Sequence, residues 1–138
     1  MAATGSFWCH EQWNLSSPPD FVTFAKKMLS CGFYHTEETK METPNRHFNT
    51  YFGDPLRAWL TVAQNGVIKE DNLIDGVQKS GTYLKNELAH LADKHPKFIK
   101  NPRGLGTFQA FDCVDAPVRD SLIKQLKTHG VQCGGVGD

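Results

Sequence analysis

Residues 20–26 read DFVTFAK and directly follow the breaker-rich segment SSPP. The run Phe21–Ala25 is rich in β-branched and aromatic residues, which is typical of a strand that is buried on both faces in a parallel sheet. Open α/β sheets place their functional groups at the carboxyl ends of such strands. The segment therefore predicts an α/β fold and puts Lys26 at a position suited to chemistry.

Two apolar stripes at helical spacing follow the predicted strand. Asp54 is the expected N-cap of the first helix and Pro55 lies in its first turn. Gly66 interrupts the pattern, so one bent helix and two separate helices both remain open. The second helix should end near His95, because Pro96 cannot continue it. The stripes comprise Leu56, Leu60, Ala63 and Val67, then Ile74, Val77, Gly81, Leu84, Leu88 and Leu91.

After residue 102 the pattern indicates a small α+β layer. Residues 103–106, RGLG, predict a turn into a strand over Thr107–Asp112. Asp115–Pro117 should open a third helix that stops at His129–Gly130. The apolar run Val131–Cys133 then predicts one further strand.

Composition excludes several classes of protein. The chain has 138 residues, and 15 Lys and Arg balance 15 Asp and Glu, so the net charge is zero. Nucleic-acid binding is disfavoured, because it calls for a surplus of positive charge. No apolar run approaches the roughly 20 residues that span a bilayer, and the N-terminus resembles no signal or transit segment. One core is the default expectation at this length, with a second small core possible.

The cysteines and histidines predict no metal site. Cys9, Cys31, Cys113 and Cys133 lack the spacing of metal ligands or of a redox motif, and the six histidines are scattered. We expect reduced, mostly buried thiols of an intracellular protein.

Lys26 and Lys27 are the first candidates for chemistry. A lysine that is desolvated at the end of a buried strand favours the neutral amine, which can attack a carbonyl or an aldehyde. The adjacent Lys27 would ease deprotonation of Lys26 if both are poorly solvated. The alternative is a pair of solvated lysines at the start of a loop.

Five segments, in this order along the chain, carry a family resemblance: FWCHEQW at 7–13, TFAKKM at 23–28, FNTYFGDP at 48–55, RGLGTF at 103–108 and GGVGD at 134–138. Together they resemble the class III aminotransferases, which are pyridoxal 5'-phosphate enzymes of fold type I. Within that class the chain is most similar to the animal-type 4-aminobutyrate aminotransferases.

The resemblance implies an α/β fold and a division into two parts. Residues 1–68 would form the C-terminal part of the large cofactor-binding domain. Residues 69–138 would form the connecting helix and an incomplete α+β small C-terminal domain. The chain is expected to be an internal-to-late piece of a longer protein. The acidic partner of the cofactor's ring nitrogen, the phosphate loop and the arginine for the substrate carboxylate would then lie outside it.

The resemblance also implies two site residues. Lys26 matches the Schiff-base lysine, because Ala25 and Asp20 occupy the family's small and acidic positions upstream of it. Its role would be to hold the cofactor covalently and to shuttle the substrate proton. Thr50 would donate to the cofactor phosphate across a dimer interface. The plainer alternative is that Thr50 turns the chain before Asp54.

The implied reaction transfers the amino group of 4-aminobutyrate to 2-oxoglutarate, so the small-molecule partners would be amino and keto acids. A homodimer in the mitochondrial matrix, or otherwise in the cytoplasm, is expected. The chain alone should be inactive. A silent truncated form that associates through the dimer surface, a related ω-amino-acid transaminase and an unrelated small-molecule binder remain as alternatives.

Overall fold

The computed structural model describes residues 1–137, which divide into two compact units, residues 1–78 and 79–137. The strands are β1 (Phe21–Phe24), β2 (Gly32–His35), β3 (Ile99–Leu105) and β4 (Phe108–Cys113). The helices are α1 (Pro55–Glu70), α2 (Leu73–Lys94) and α3 (Ala116–Thr128), with short 3-10 turns at Cys9–Gln12, Lys26–Met28 and Glu37–Thr39. The proposed domain boundary after residue 68 stays a prediction.

The first unit is built on a hairpin. The predicted strand exists as β1, but it pairs antiparallel with β2, from Phe21 opposite His35 to Phe24 opposite Gly32. Its residues alternate between exposed and half-buried, so the expectation of a parallel strand buried on both faces is wrong in this chain. The connection over residues 25–31 explains the direction, because a parallel crossover needs a dozen or more residues.

Both predicted long helices are present, and they are separate. Asp54 caps α1 by accepting hydrogen bonds from the amides of Leu56 and Arg57, at 3.0 and 3.4 Å. α1 runs through Gly66 and ends at Glu70, and Asn72 adopts a φ of 52° at the break before α2. No helix within residues 1–137 is long and apolar enough to cross a membrane.

The second unit contains a strand that the sequence pattern missed. Residues 103–105 belong to β3, which pairs antiparallel with β4, rather than to a turn. Pro102 and Gly104 suggest a break, but the irregularity is a register shift between Lys100 and Arg103. Across the sheet the Asp112 carboxylate accepts from Arg103 at 2.7 Å and from the Asn101 amide at 3.0 Å.

The third helix begins and ends as predicted, but residues 131–137 form no strand after it. The Asp115 side chain accepts from the amide of Val118 at 2.8 Å, and α3 ends at Thr128. Val131 donates its amide to the carbonyl of Leu126 at 2.9 Å and so closes the helix C-terminus instead of extending a sheet. Asp138, the last residue of the GGVGD segment, lies outside the described residues.

Very little apolar surface is buried among residues 1–137. Ala2, Met28 and Ile68 are the buried hydrophobic residues, whereas large side chains on α1 and elsewhere face solvent. The expectation of mostly buried cysteines is wrong for the same reason. Two thiols are half-buried and two are exposed, and all four are free.

Candidate functional site

Lys26 lies in the turn that follows β1. Its φ of 55° falls in the left-handed region, which a lysine seldom adopts. The carbonyl of Lys26 accepts from the amide of Leu29 at 2.8 Å and closes the 3-10 turn, and Leu29 also has a positive φ, of 58°.

The Lys26 amine is available for chemistry. The side chain is exposed, and no hydrogen bond or ion pair to its amine is found within residues 1–137. Lys27 is exposed as well. Both lysines therefore face solvent in this chain, as in the alternative of a solvated pair.

A contact that the sequence pattern missed holds the lysine turn against α1. The Thr61 Oγ1 lies 2.7 Å from the carbonyl oxygen of Met28 and 2.8 Å from the Ser30 hydroxyl. The same atom lies 2.9 Å from the carbonyl of Arg57, one turn earlier in α1. Met28 is buried beneath this contact. The one available signal was a hydroxyl residue beside the apolar stripe, directly after Leu60.

Aromatic rings support the strand that leads to Lys26. The Trp8 ring meets the Tyr34 ring edge-on with centroids 5.9 Å apart, and it contacts Phe24 at 6.3 Å. Phe24 and Tyr34 contact each other across the hairpin at 5.5 Å. The FWCHEQW segment thus packs on the β1–β2 hairpin through the ring of Trp8.

Thr50 occupies an exposed turn before α1. The Asn49 side-chain oxygen accepts from the amide of Tyr51 at 2.8 Å, and the Asn49 carbonyl accepts from Phe52 at 3.1 Å. Asn49 therefore forms the turn, and the described chain shows no hydrogen bond to the Thr50 hydroxyl. No hydrogen bond joins Thr50 to Lys26 within residues 1–137. Action on a partner subunit's cofactor requires none, and it stays a prediction.

The two predicted residues suit the groups of pyridoxal phosphate. An exposed primary amine can condense with an aldehyde, and an unengaged hydroxyl can donate to a phosphate oxygen. Among residues 1–137, no group of three or more His, Cys, Asp or Glu side chains is placed to hold a metal ion.

Three comparisons place these features among known proteins. The family model for class III aminotransferases matches residues 1–138. The 4-aminobutyrate aminotransferase of Dictyostelium discoideum is 46% identical over 138 residues, which are all of this chain and 28% of that protein. The mitochondrial 4-aminobutyrate aminotransferase of Sus scrofa is 41% identical, over 99% of this chain and 27% of that protein.

The fold comparison agrees with the sequence comparisons. The lysine aminotransferase of M. tuberculosis, solved in the internal aldimine form, matches with a TM-score of 0.83 and 28% identity. That match covers 99% of this chain and 32% of the solved chain. The chain thus spans somewhat over a quarter of the length of the curated relatives that it matches.

Proposed function

Since this chain belongs to the class III aminotransferases, a family of pyridoxal-phosphate-dependent transferases, we propose that it supplies the lysine-bearing segment and the following C-terminal portion of a 4-aminobutyrate:2-oxoglutarate aminotransferase. The reaction would pass the amino group of 4-aminobutyrate to 2-oxoglutarate and leave succinate semialdehyde and glutamate. The enzyme would act as a homodimer in the mitochondrial matrix, and the pig relative is named as mitochondrial.

The observation that carries this proposal is the placement of Lys26. Its amine is exposed and unengaged in a turn that the Thr61 hydroxyl ties to α1. This chain matches two proteins named 4-aminobutyrate aminotransferase, and each match covers at least 99% of this chain, including the turn.

Each site residue would have a distinct task. Pyridoxal phosphate supplies, when bound, an electrophilic aldehyde and a ring that withdraws electrons from the substrate carbon. Lys26 would hold the cofactor and then carry the proton removed from the substrate carbon, as base and afterwards as acid. Thr50 would donate its hydroxyl hydrogen to a phosphate oxygen of the cofactor held by the partner subunit.

A second candidate rests on exposed surface. Leu56, Trp59 and Val62 of α1 are 63%, 66% and 70% exposed. An apolar face of this kind favours association with another protein surface. A silent form that pairs with a full-length subunit would use this face without catalysing transamination.

A chimera tests the proposal directly. The chain replaces the matching segment of the Dictyostelium protein, and the product is reconstituted with pyridoxal phosphate and reduced with borohydride. Peptide mapping should find the pyridoxyl label on Lys26, and Lys26→Ala should abolish both the label and glutamate formation. Lys27→Ala is the matched control and should retain both. A label on Lys27, or full activity of Lys26→Ala, would refute the assignment.

The activity of the chimera and the co-purification of the isolated chain together separate the two candidates. With pyridoxal phosphate and both substrates the isolated chain should form no glutamate, because the proposal places other parts of the catalytic site outside it. If the chimera is also inactive but the isolated chain co-purifies with the full-length Dictyostelium subunit, the silent form is favoured over the enzyme segment.

A further inference from the structure

A cavity in the second unit brings two cysteines to one place. Its walls come from the end of β4, from α3 and from the segment after α3, and both Cys113 and Cys133 line it. Arg119, Leu122 and Ile123 form the α3 side of the same cavity. The two cysteines are far apart in sequence and match no redox motif, so only the fold reveals the pair.

The two thiols differ in their surroundings. Cys113 is the last residue of β4, paired opposite Ile99, and it is half-buried. Burial raises the pKa of the Cys113 thiol, and the Arg119 guanidinium opposes this rise. Asp112, Asp115 and Cys133 add smaller contributions to the rise. Cys133 itself is exposed and open to reagents in solution.

The segment that carries Cys133 is held beside α3 at two points. Val131 donates to the Leu126 carbonyl at 2.9 Å, and a Cβ placed on Gly135 would lie 2.8 Å from both Arg119 Cδ and Ile123 Cδ1. Cys133 lies between these points in backbone without regular structure. Gly134 directly follows Cys133, and a glycine permits a wider range of backbone angles than other residues. A sulfur–sulfur bond has a specific geometry, and any adjustment toward it would fall to this segment rather than to β4 or α3.

We propose that Cys113 and Cys133 form a reversible disulfide that fastens the glycine-rich segment 131–137 to the end of β4. The oxidant is a small-molecule disulfide of the glutathione class. The exposed Cys133 thiolate attacks one sulfur of the oxidant, forming a mixed disulfide and releasing one small thiol. The Cys113 thiolate then attacks the Cys133 sulfur and releases the second small thiol. The protein loses two protons and two electrons, and the oxidant gains them as it becomes two thiols. A dithiol reverses both steps.

Cys9 and Cys31 are the internal controls. Both are free, and Cys31 is exposed like Cys133. Both lie in the first unit, outside the cavity. If exposure alone determined the products, Cys31 would react as readily as Cys133 and would form linked peptides at random.

The test treats the 138-residue chain with oxidised glutathione and identifies linked peptides by mass spectrometry without reduction. Two thiols held together have an effective concentration near the millimolar range. At about 10 µM protein, the Cys113–Cys133 peptide should exceed every other linked pair by at least about ten-fold. Its rate of formation should not depend on protein concentration, and dithiothreitol should remove it.

Variants make the test specific. Cys133→Ser, at an exposed position, should abolish the linked peptide and leave Cys113 unlinked, whereas Cys31→Ser should change neither. Two results would overturn the proposal. One is stable glutathione adducts on both Cys113 and Cys133 without linkage between them. The other is linkage found mainly between separate molecules at a rate that rises with protein concentration.

Discussion

Replacing Thr61 with valine removes one hydroxyl and leaves the shape of the side chain nearly unchanged. In the structure that hydroxyl contacts the Met28 carbonyl at 2.7 Å and the Ser30 hydroxyl at 2.8 Å. These are the contacts that tie the lysine turn to α1. The contact with the Arg57 carbonyl lies within α1 and does not hold the turn.

The expected cost follows from the number of contacts. A net hydrogen bond in a protein contributes about 1 kcal/mol. A hydroxyl carries one proton, so Thr61 donates to one oxygen at a time and Ser30 can donate to Thr61 in turn. Loss of the two links should cost about 1–2 kcal/mol of local stability. This corresponds to an equilibrium constant for opening of the turn that is about 5–30-fold larger. Valine and threonine have similar helix propensities, so α1 itself should be unaffected.

Hydrogen exchange measures this opening directly. The amides of Met28 and Leu29, which close the lysine turn, should exchange about 5–30-fold faster in Thr61→Val, whereas amides in the middle of α2 should not change. Thr61→Ser keeps the hydroxyl and should behave much more like the wild type. Equal protection of the turn in Thr61→Val and in the unmodified chain would show that this hydroxyl does not hold it.

Three further predictions concern the two units. Gly81→Ala should lower the free energy of unfolding by about 1–3 kcal/mol in a denaturant titration, because its Cβ would overlap the backbone of Gly106. Gly76→Ala in the same helix is the control: its Cβ meets nothing within 4 Å, so the change should be neutral or stabilising. Asp54→Ala should lower the free energy of unfolding by about 1 kcal/mol, because it removes the N-cap of α1. The loss should be seen as reduced helical circular dichroism on heating. An unchanged thermal profile would contradict the capping role. The pKa of Asp112 is lowered, first by the hydrogen bond from the side-chain amide of Asn101 and then by Arg103. The contribution of Asp112 to stability is therefore present above the ordinary carboxyl pKa of 3.8. It is lost as the pH falls through the lowered value. Asp112→Asn should accordingly reduce stability at neutral pH and converge with the wild type in acid, and a constant difference across an acid titration would refute this.

The helices were predictable because their signals are local. Asp54 and Asp115 are capping residues followed by proline, and this chemistry acts within a single turn whatever surrounds it. The stop of α2 before Pro96 is equally local. The break between α1 and α2 was not predictable from Gly66, since the helix tolerates that glycine and instead ends where Asn72 takes a positive φ.

The strands were less predictable because pairing is not a local property. The composition of β1 indicates a strand but carries no information on the direction of its partner, which depends on the length of the connection to β2. The pattern of β3 was obscured by Pro102 and Gly104, which lie in or beside a register shift. The apolar run after residue 130 was misinterpreted because Val131 completes the end of α3.

The same distinction between local and non-local signals applies to the residues of the candidate site. Lys26 and Thr50 were predicted as site residues because their motifs can be matched from the sequence alone, and their roles stay predictions. Thr61 was not identified, since its importance arises from two contacts with residues about thirty positions earlier in the chain. Such a partner is apparent only once the helix and the turn have been brought together.

The left-handed backbone at Lys26 carries a consequence for any attempt to improve this protein. Glycine would adopt that φ without steric conflict, whereas a lysine there costs on the order of 1 kcal/mol or more. Selection for thermostability alone would therefore tend to replace the residue to which the proposed chemistry belongs. Position 26 is one at which robustness and reactivity favour different side chains, and a stabilised variant should be screened for the amine before it is screened for its melting temperature.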